Sequence, residues 1–339
     1  MGSSSYSRSD YDAKVSYRNI IDAPVFAHTA DIRSGKIKAS VSPKLNPKDV
    51  KLREARDCDA HPVTVPIAVI MDVTGSMQSV PQIFEARLSS LMGAFLEDKA
   101  SGKKYLGEGY PAIMIGALDD WDAMRGSYST AEGTLQVGQF ESGIEIDNDL
   151  EKLWLTGHGG GTYEESYELA LYFMARHTAH DSWEKRGRKG YLFLIGDEHP
   201  YPEVDQIQVL DIIGDKLQGN IPLKAILDEV RERYHVFFVI PNLTNHYNDP
   251  KLEKEWIRLL GQQYVLRLQD PEKICEMIAG VVALNEEHVG LAELCADGVI
   301  DGALNNALVP IANAVKDVSR YSAAGLSPVP GDSGGTERL

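Results

Sequence analysis

Short apolar runs alternate with amphipathic stretches from residue 65 onward. This alternation predicts a mostly parallel β-sheet covered by helices on both faces. The six predicted strands are VPIAVIM (65–71), YPAIMIGAL (110–118), TLQVGQF (134–140), GYLFLIG (190–196), HVFFVIP (235–241) and YVLRL (264–268). The short connection between the second and third strands favours an antiparallel pairing at the sheet edge. The expected fold class is therefore α/β, a Rossmann-like, doubly wound sheet with one antiparallel edge strand.

Helical spacing of apolar residues predicts helices between these strands. The first begins near Pro81, because proline is tolerated in a first helical turn, and continues to Leu96. The other predicted helices cover about 147–155, 162–177, 204–217, 222–233, 249–260 and 271–284. A Gly-rich run, GHGGG (157–161), precedes the helix predicted at 162–177.

The pattern weakens at both ends of the chain. Residues 25–32 and 36–41 are possible short strands, the charged segment 48–61 is a linker or a helix, and 289–318 is expected to be helical. The last residues are rich in Gly, Ser and Pro, which is typical of disorder. We divide the chain into an N-terminal extension (1–61, partly ordered and mildly basic), a core domain (62–285), a C-terminal helical extension (286–320) and a disordered tail (321–339).

The charge of the chain argues against a nucleic-acid partner. Its net charge is −16, whereas phosphate binding depends on clustered Lys and Arg. Residues 1–64 are the exception, with 11 Lys and Arg against 8 Asp and Glu, so this arm either lies against the acidic body or is a solvated extension. No apolar run approaches the roughly 18 to 20 residues of a membrane helix, and the first residues lack a signal-peptide pattern. We expect a cytoplasmic protein without a membrane partner.

Polar residues follow the predicted strands at the edge of the sheet where α/β proteins bind ligands. Asp72, Thr74 and Ser76 follow the first strand, Asp197 follows the 190–196 strand, and Thr162 lies in the loop before a helix. Two carboxylates and three hydroxyls form a hard, oxygen-only set of ligands. Such a set suits Mg²⁺, with Mn²⁺ or Ca²⁺ as alternatives. Hydroxyls are weak donors, so the ion would accept a further carboxylate from outside.

The order of these residues resembles the metal-ion-dependent adhesion site of von Willebrand factor A (vWA) domains, in its Asp-x-Thr-x-Ser form. The resemblance covers roughly residues 62–285 and implies direct coordination by Thr74 and Ser76. It also implies direct or water-mediated contacts from Asp72, Thr162 and Asp197, and a position filled by a Glu or Asp of a protein partner. Thr74 stands where most members of the family have Ser, which keeps the oxygen ligand. Thr156 is an alternative to Thr162 if the Gly-rich loop follows a different path.

Two further loops are expected at the same edge. The first contains Asp119, Asp120, Trp121 and Asp122, and it is either a solvated acidic turn or a second cation or partner site with Trp121 as an exposed anchor. The second contains Asn242, Thr244, Asn245 and His246, which we expect at the rim.

Other kinds of site are less well supported. His158, His199 and His246 lack the spacing of a zinc site, and GHGGG lacks the Lys-Ser/Thr ending of a P-loop. Phosphatases of the haloacid-dehalogenase type need a second carboxylate two residues after the first as an acid/base, where this chain has Thr74. We therefore expect a metal-dependent protein-binding module rather than an enzyme. A phosphohydrolase-like enzyme and a passive scaffold component remain the alternatives.

Overall fold

The computed structural model describes residues 5–97, 104–128, 130–157, 163–286 and 289–323. The helices within these ranges are α1 (Arg8–Ile20), α2 (Ala27–Arg33), α3 (Val80–Leu96), α4 (Trp121–Tyr128), α5 (Glu145–Glu151), α6 (Tyr167–Arg176), α7 (Asp181–Arg186), α8 (Gln206–Ile212), α9 (Leu223–Arg233), α10 (Pro250–Leu260), α11 (Ile274–Asn285), α12 (Leu291–Ala296) and α13 (Gly302–Ala323). The strands are β1 (Arg53–Ala55), β2 (Thr64–Asp72), β3 (Tyr110–Leu118), β4 (Leu135–Val137), β5 (Glu164–Glu165), β6 (Thr178–His180), β7 (Gly190–Ile195), β8 (His199–Pro200), β9 (Glu203–Val204), β10 (Ile221–Pro222), β11 (Tyr234–Pro241) and β12 (Val265–Leu268).

A six-stranded sheet forms the centre of the part of the chain described, in the order β12-β11-β7-β2-β3-β4. All neighbouring pairs are parallel except β3 and β4, which are antiparallel at the edge. The mixed α/β architecture and the antiparallel edge strand predicted from the sequence are thereby confirmed. Three two-stranded ribbons accompany the sheet, and one of them pairs β5 with β8.

Alternating side chains of β2 show why helices cover both faces. Ile67, Val69 and Met71 pack into one core cluster with α3 and α11, while Ala68 and Ile70 pack into a second cluster with α6 and α9. Successive strand residues point to opposite faces, so a strand that is apolar on both sides must be buried on both sides.

The path of the chain creates a crevice beside β2. After β2 the chain continues to its neighbour β3 and to β4, and it later returns to β7 on the other side of β2. Connections that leave in opposite directions from adjacent strands open a crevice at the carboxyl ends of those strands, where α/β sheets bind ligands. Asp72 ends β2 and Asp197 follows β7, so both lie at this point.

The N-terminal predictions need correction. Residues 25–32 contain the helix α2 instead of a strand, and 36–41 is irregular. Thr29 explains the helix, since its hydroxyl donates to the carbonyl of Leu153 (2.7 Å) and accepts from the backbone N–H of Leu155 (2.8 Å), contacts that a local pattern cannot show. Segment 48–61 is neither a linker nor a helix, because its strand β1 pairs in parallel with β6.

The basic arm lies against the acidic body. Arg18 of α1 is buried and pairs with Glu85 (2.5 Å) and Asp147 (3.2 Å), and Lys14 pairs with Asp147 (2.5 Å). At the other end, the prediction of a helical 289–318 is confirmed by α12 and α13, whose buried residues Leu294 and Leu308 pack into the core. No helix in the described ranges has the length and apolar character needed to cross a membrane.

Candidate metal centre

Four of the five predicted metal ligands lie together at the carboxyl end of the sheet. Oδ1 of Asp72 accepts from the backbone N–H (2.8 Å) and the hydroxyl (2.6 Å) of Thr74. Oγ1 of Thr74 lies 3.4 Å from Oγ of Ser76, which in turn donates to Oδ1 of Asp197 (3.3 Å). The fifth predicted ligand, Thr162, lies outside the described residues. The four residues therefore form a continuous chain of oxygens from β2 to the loop after β7.

The oxygens at the bottom of the site are buried, whereas its mouth is open. Asp72, Thr74 and Asp197 are at most 2% exposed, and Ser76 is exposed. Position 75 of this turn favours glycine, because a Cβ there would lie only 3.3 Å from the carbonyl oxygen of Gly157. The turn can thus expose one hydroxyl while it keeps the two carboxylates out of water.

Tyr167 holds Asp72 from the inner side. Its hydroxyl donates to Oδ2 of Asp72 (3.2 Å). A Cβ at position 196 would lie 1.8 Å from this hydroxyl, so only glycine fits there. The indole of Trp256 packs edge-on against the Tyr167 ring and donates to the carbonyl of Glu198 (3.1 Å). These contacts fix the carboxylate of Asp72 and the loop that carries Asp197.

Burial raises the pKa of Asp72 well above its ordinary value, and the charge of Asp197 raises it further. Within the described ranges, neither aspartate forms an ion pair with Lys or Arg. A buried carboxylate without a cationic partner is costly when ionised. The residues present therefore fit a divalent cation, which would relieve the repulsion between Asp72 and Asp197.

Glu165 is a candidate ligand that the sequence analysis missed. It is 4% exposed, and its Oε2 has no hydrogen-bond partner among the described residues. Burial raises its pKa well above the ordinary value, and the charge of Asp72 is the next contribution. The strand β5 carries Glu165 alongside β8, which begins two residues after Asp197. A buried carboxylate oxygen without a hydrogen-bond partner, on a strand next to the loop of Asp197, makes Glu165 a candidate for a further ligand.

The helix boundary explains why Glu165 was missed. The predicted helix at 162–177 would make Glu165 an ordinary helical residue, but the observed helix α6 begins at Tyr167. The sequence feature that could have indicated Glu165 is its position shortly after the Gly-rich run, at the sheet edge where the other candidate ligands lie. Thr156, the alternative to Thr162, bonds elsewhere, since its hydroxyl contacts Asp119 and the carbonyl of Val73 (3.2 Å).

The acidic loop after β3 is not a solvated turn at its start. Asp119 and Asp120 are fully buried, and only Asp122 is exposed. Asp119 accepts from Thr156, and Asp120 accepts from the hydroxyl of Tyr201 (2.8 Å). Burial raises the pKa of Asp119 to about 7. Both carboxylates thus have hydrogen-bond donors from the protein itself.

The expectation of an exposed Trp121 is also wrong. Trp121 is half-buried against the second core cluster, and its backbone N–H donates to Oγ of Ser166 (3.2 Å). The guanidinium of Arg125 lies 4.4 Å above its ring. The residue therefore anchors its own loop instead of presenting a free aromatic surface.

Only part of the loop after β11 contacts the candidate site. Thr244 donates to Oδ2 of Asp197 (2.6 Å), and Nδ1 of His246 lies 3.0 Å from Oε1 of Glu198. Asn242 instead donates to the carbonyl of Gln269 (3.3 Å), away from the site. The side chain of Asn245 lies outside the part described.

The histidines do not form a joint zinc site in the described ranges. His199 pairs with Glu255, and His158 is not among the described residues. Only His246 contacts the acidic residues of the site, namely Asp197 and Glu198. Burial raises the pKa of Glu198 to about 7, against the lowering effect of His246.

Comparisons with known proteins leave the family open. No protein-family model and no curated protein matches this chain. Proximal thread matrix protein 1 from the mussel byssus is similar over 66% of this chain and 47% of its own, with 12% identity and a TM-score of 0.38. The pilus adhesin SpaC from Lactobacillus rhamnosus GG is similar over 68% of this chain and 32% of its own, with 14% identity and a TM-score of 0.40. The chain spans less than half the length of either protein, and at these TM-scores neither similarity supports an argument.

Proposed function

We propose that this chain is a vWA-type binding module that holds a protein partner through a divalent cation. Asp72, Thr74, Ser76 and Asp197 would hold the ion, preferably Mg²⁺, with Mn²⁺ or Ca²⁺ as alternatives. The single observation that supports this most strongly is the chain of oxygens that joins two buried aspartates through Thr74 and the exposed Ser76. In this proposal residues 62–285 are the vWA domain, with 1–61 and 286–320 as extensions.

The donor chemistry supports a hard cation. All the candidate ligands are carboxylate or hydroxyl oxygens, which suit Mg²⁺ and not the softer metals. Glu165 would join them as a third carboxylate. When bound, the cation would supply a Lewis-acidic position open to solvent beside Ser76. A Glu or Asp of a partner is the natural occupant of such a position.

Glu165 also affects how strongly a partner would be held. A third carboxylate strengthens metal binding, yet it neutralises more of the charge that attracts a partner's carboxylate. We therefore expect a modest carboxylate affinity that depends on the rest of the partner interface. The Thr244 and His246 side of the loop after β11 lies next to the opening and is a candidate for that interface.

The two alternatives have specific weaknesses. A phosphohydrolase of the haloacid-dehalogenase type needs a second carboxylate at position 74, but Thr74 uses its hydroxyl to bond Asp72. A passive scaffold would bury Asp72 close to Asp197 without benefit, although repulsion between them lowers the stability of the folded state.

Partner capture tests the proposal. The tagged full chain is incubated with an extract of its native host, and the captured proteins are compared with EDTA, with added Mg²⁺ and in the Asp72→Ala variant. We expect a set of proteins that disappears with EDTA, returns with Mg²⁺ or Mn²⁺ and is missing for Asp72→Ala. Asp228→Ala is the matched control, because this exposed carboxylate of α9 pairs with Lys224 (2.7 Å) and lies outside the ligand set and the candidate partner loops.

Capture that is unchanged by both EDTA and Asp72→Ala contradicts the proposal. Release of phosphate from an aryl phosphate by the wild type, with loss of that activity in Asp72→Ala, favours the hydrolase instead. Circular dichroism and thermal unfolding of each variant establish that the substitution has not unfolded the domain.

A further inference from the structure

The two carboxylate oxygens of Asp197 face different groups. Oδ1 accepts from Ser76 and so belongs to the site described above (3.3 Å). Oδ2 accepts from the hydroxyl of Thr244 (2.6 Å) and lies 3.8 Å from Nδ1 of His246. Asp197 is therefore placed between two sets of donor atoms.

The second set contains an imidazole. Nδ1 of His246 lies 3.0 Å from Oε1 of Glu198, and one ligand atom from each of Asp197, Glu198 and His246 lies within 4.8 Å of the others. The residues come from the loops after β7 and β11, which are adjacent parallel strands. Asp197 and Glu198 are at most 9% exposed, while His246 remains partly open to solvent.

Contacts of the Glu198 backbone restrict the movement of the loop that carries Asp197 and Glu198. Its carbonyl accepts from the indole of Trp256 (3.1 Å), which packs against the ring of Tyr167, so buried aromatic residues hold the acidic loop from the inside. The ring of Tyr163 lies 6.2 Å from that of His246 on the outer side. Nδ1 of His246 also lies 3.2 Å from the carbonyl oxygen of Asp197, so this nitrogen would exchange an acceptor contact for the ion. The backbone of the acidic loop is held in place before any ligand arrives, which lowers the cost of binding.

A separate observation indicates that this region is short of positive charge. Oε2 of Glu165, in a side chain that is only 4% exposed, has no hydrogen-bond partner in the described ranges. β5 pairs Glu165 with Pro200 of β8, two residues after Glu198, so this carboxylate lies on the segment next to the acidic loop.

We propose that Asp197, Glu198 and His246, with the hydroxyl of Thr244, form a second cation site that shares Asp197 with the first. The imidazole nitrogen makes its preference different from that of the first site. Mixed nitrogen and oxygen ligands favour Zn²⁺ and, more weakly, Mn²⁺ over Mg²⁺. Asp197 would then bridge two unlike ions, a hard one beside Ser76 and a transition ion beside His246. This site does not require that the first one bind a partner.

Titration of Zn²⁺ into chelator-stripped protein in saturating Mg²⁺ tests the proposal. Calorimetry should give one equivalent of Zn²⁺ for the wild type and at least about a tenfold weaker affinity for His246→Ala and His246→Asn. His199→Ala is the matched control and should titrate like the wild type, since His199 pairs with Glu255. Ser76→Ala should weaken Mg²⁺ binding and keep the Zn²⁺ equivalent.

Two results would overturn the second site. One is a wild type that takes up no Zn²⁺ in the presence of Mg²⁺, and the other is a His246→Ala isotherm that matches the wild type. A protein that binds Zn²⁺ through His246 but captures no partner in a metal-dependent way contradicts the proposed function alone.

Discussion

The hydroxyl of Tyr167 donates a hydrogen bond of 3.2 Å to Oδ2 of Asp72. The ring of Tyr167 packs against Trp256, whose indole donates to the carbonyl of Glu198 (3.1 Å), so these two buried side chains connect the end of β2 to the loop after β7. Groups behind metal ligands orient them and tune their affinity. Tyr167 therefore has a role in the candidate site although it offers no ligand atom itself.

Removal of this hydroxyl should weaken metal binding. We expect Tyr167→Phe to lower the Mg²⁺ affinity by about tenfold, because Asp72 loses a donor that fixes its orientation. Isothermal titration of Mg²⁺ measures the effect. Tyr172→Phe on the same helix is the control, since its hydroxyl bonds Asp215 (2.7 Å) instead of a site residue. Equal losses in both variants would show that Tyr167 acts only through general stability.

Glu165→Gln should have opposite effects on stability and on metal binding. In EDTA the variant should unfold at a higher denaturant concentration than the wild type, because a buried charge that faces Asp72 is gone. With Mg²⁺ present, its metal affinity should fall at least about tenfold. Glu164→Gln, the neighbour in β5, should change neither quantity appreciably. A Glu165→Gln variant with wild-type Mg²⁺ affinity would remove Glu165 from the ligand set.

The central sheet could be predicted because its strands are buried on both faces. The observed β3 has the predicted bounds, β2 is one residue longer than predicted at each end, and β11 is one residue longer at its start. Continuous apolar runs of this kind have few alternative placements. The segment 25–32 was different, because its helix depends on Thr29 contacts with residues more than 120 positions away.

The candidate site was predictable where it follows strand ends. Asp72 and Asp197 follow well-defined strands, so the sheet geometry brings them together. Glu165 was not predictable, since it lies in a two-residue strand that the helical periodicity around it conceals. The burial of Asp119 was also hidden, because Thr156, a distant residue, supplies its hydrogen bond.

Asp119 should make the stability of the metal-free protein depend on pH. The pKa of Asp119 is about 7 in the folded state against an ordinary 3.8. The stabilisation that the protonated Asp119 gives the folded state is therefore present at low pH and is lost as the pH rises through 7. Between pH 5 and 8 this loss is on the order of 2 kcal/mol. Urea unfolding in EDTA should therefore show Asp119→Asn gaining stability over the wild type as the pH rises. Asp122→Asn, at an exposed position, should run parallel to the wild type at all pH values.

Arg18 should be essential for attaching α1 to the body. Loss of one partner of a buried ion pair leaves the other charge uncompensated, which costs about 3 to 5 kcal/mol. We expect Arg18→Met to lower the free energy of unfolding by an amount of this order, because Glu85 loses its cationic partner while Asp147 keeps Lys14. Arg8→Met is the control, as the exposed pair of Arg8 with Glu97 (3.7 Å) should contribute less than about 1 kcal/mol. A small and equal effect in both variants would contradict the role of Arg18.

Binding of Mg²⁺ to the chelator-stripped chain is the most direct test of a cation held between Asp72 and Asp197. Isothermal titration should show one equivalent of Mg²⁺ bound by the wild type and none by Asp72→Ala, with both proteins folded by circular dichroism. No Mg²⁺ binding by the wild type, or an isotherm that Asp72→Ala leaves unchanged, would contradict the account.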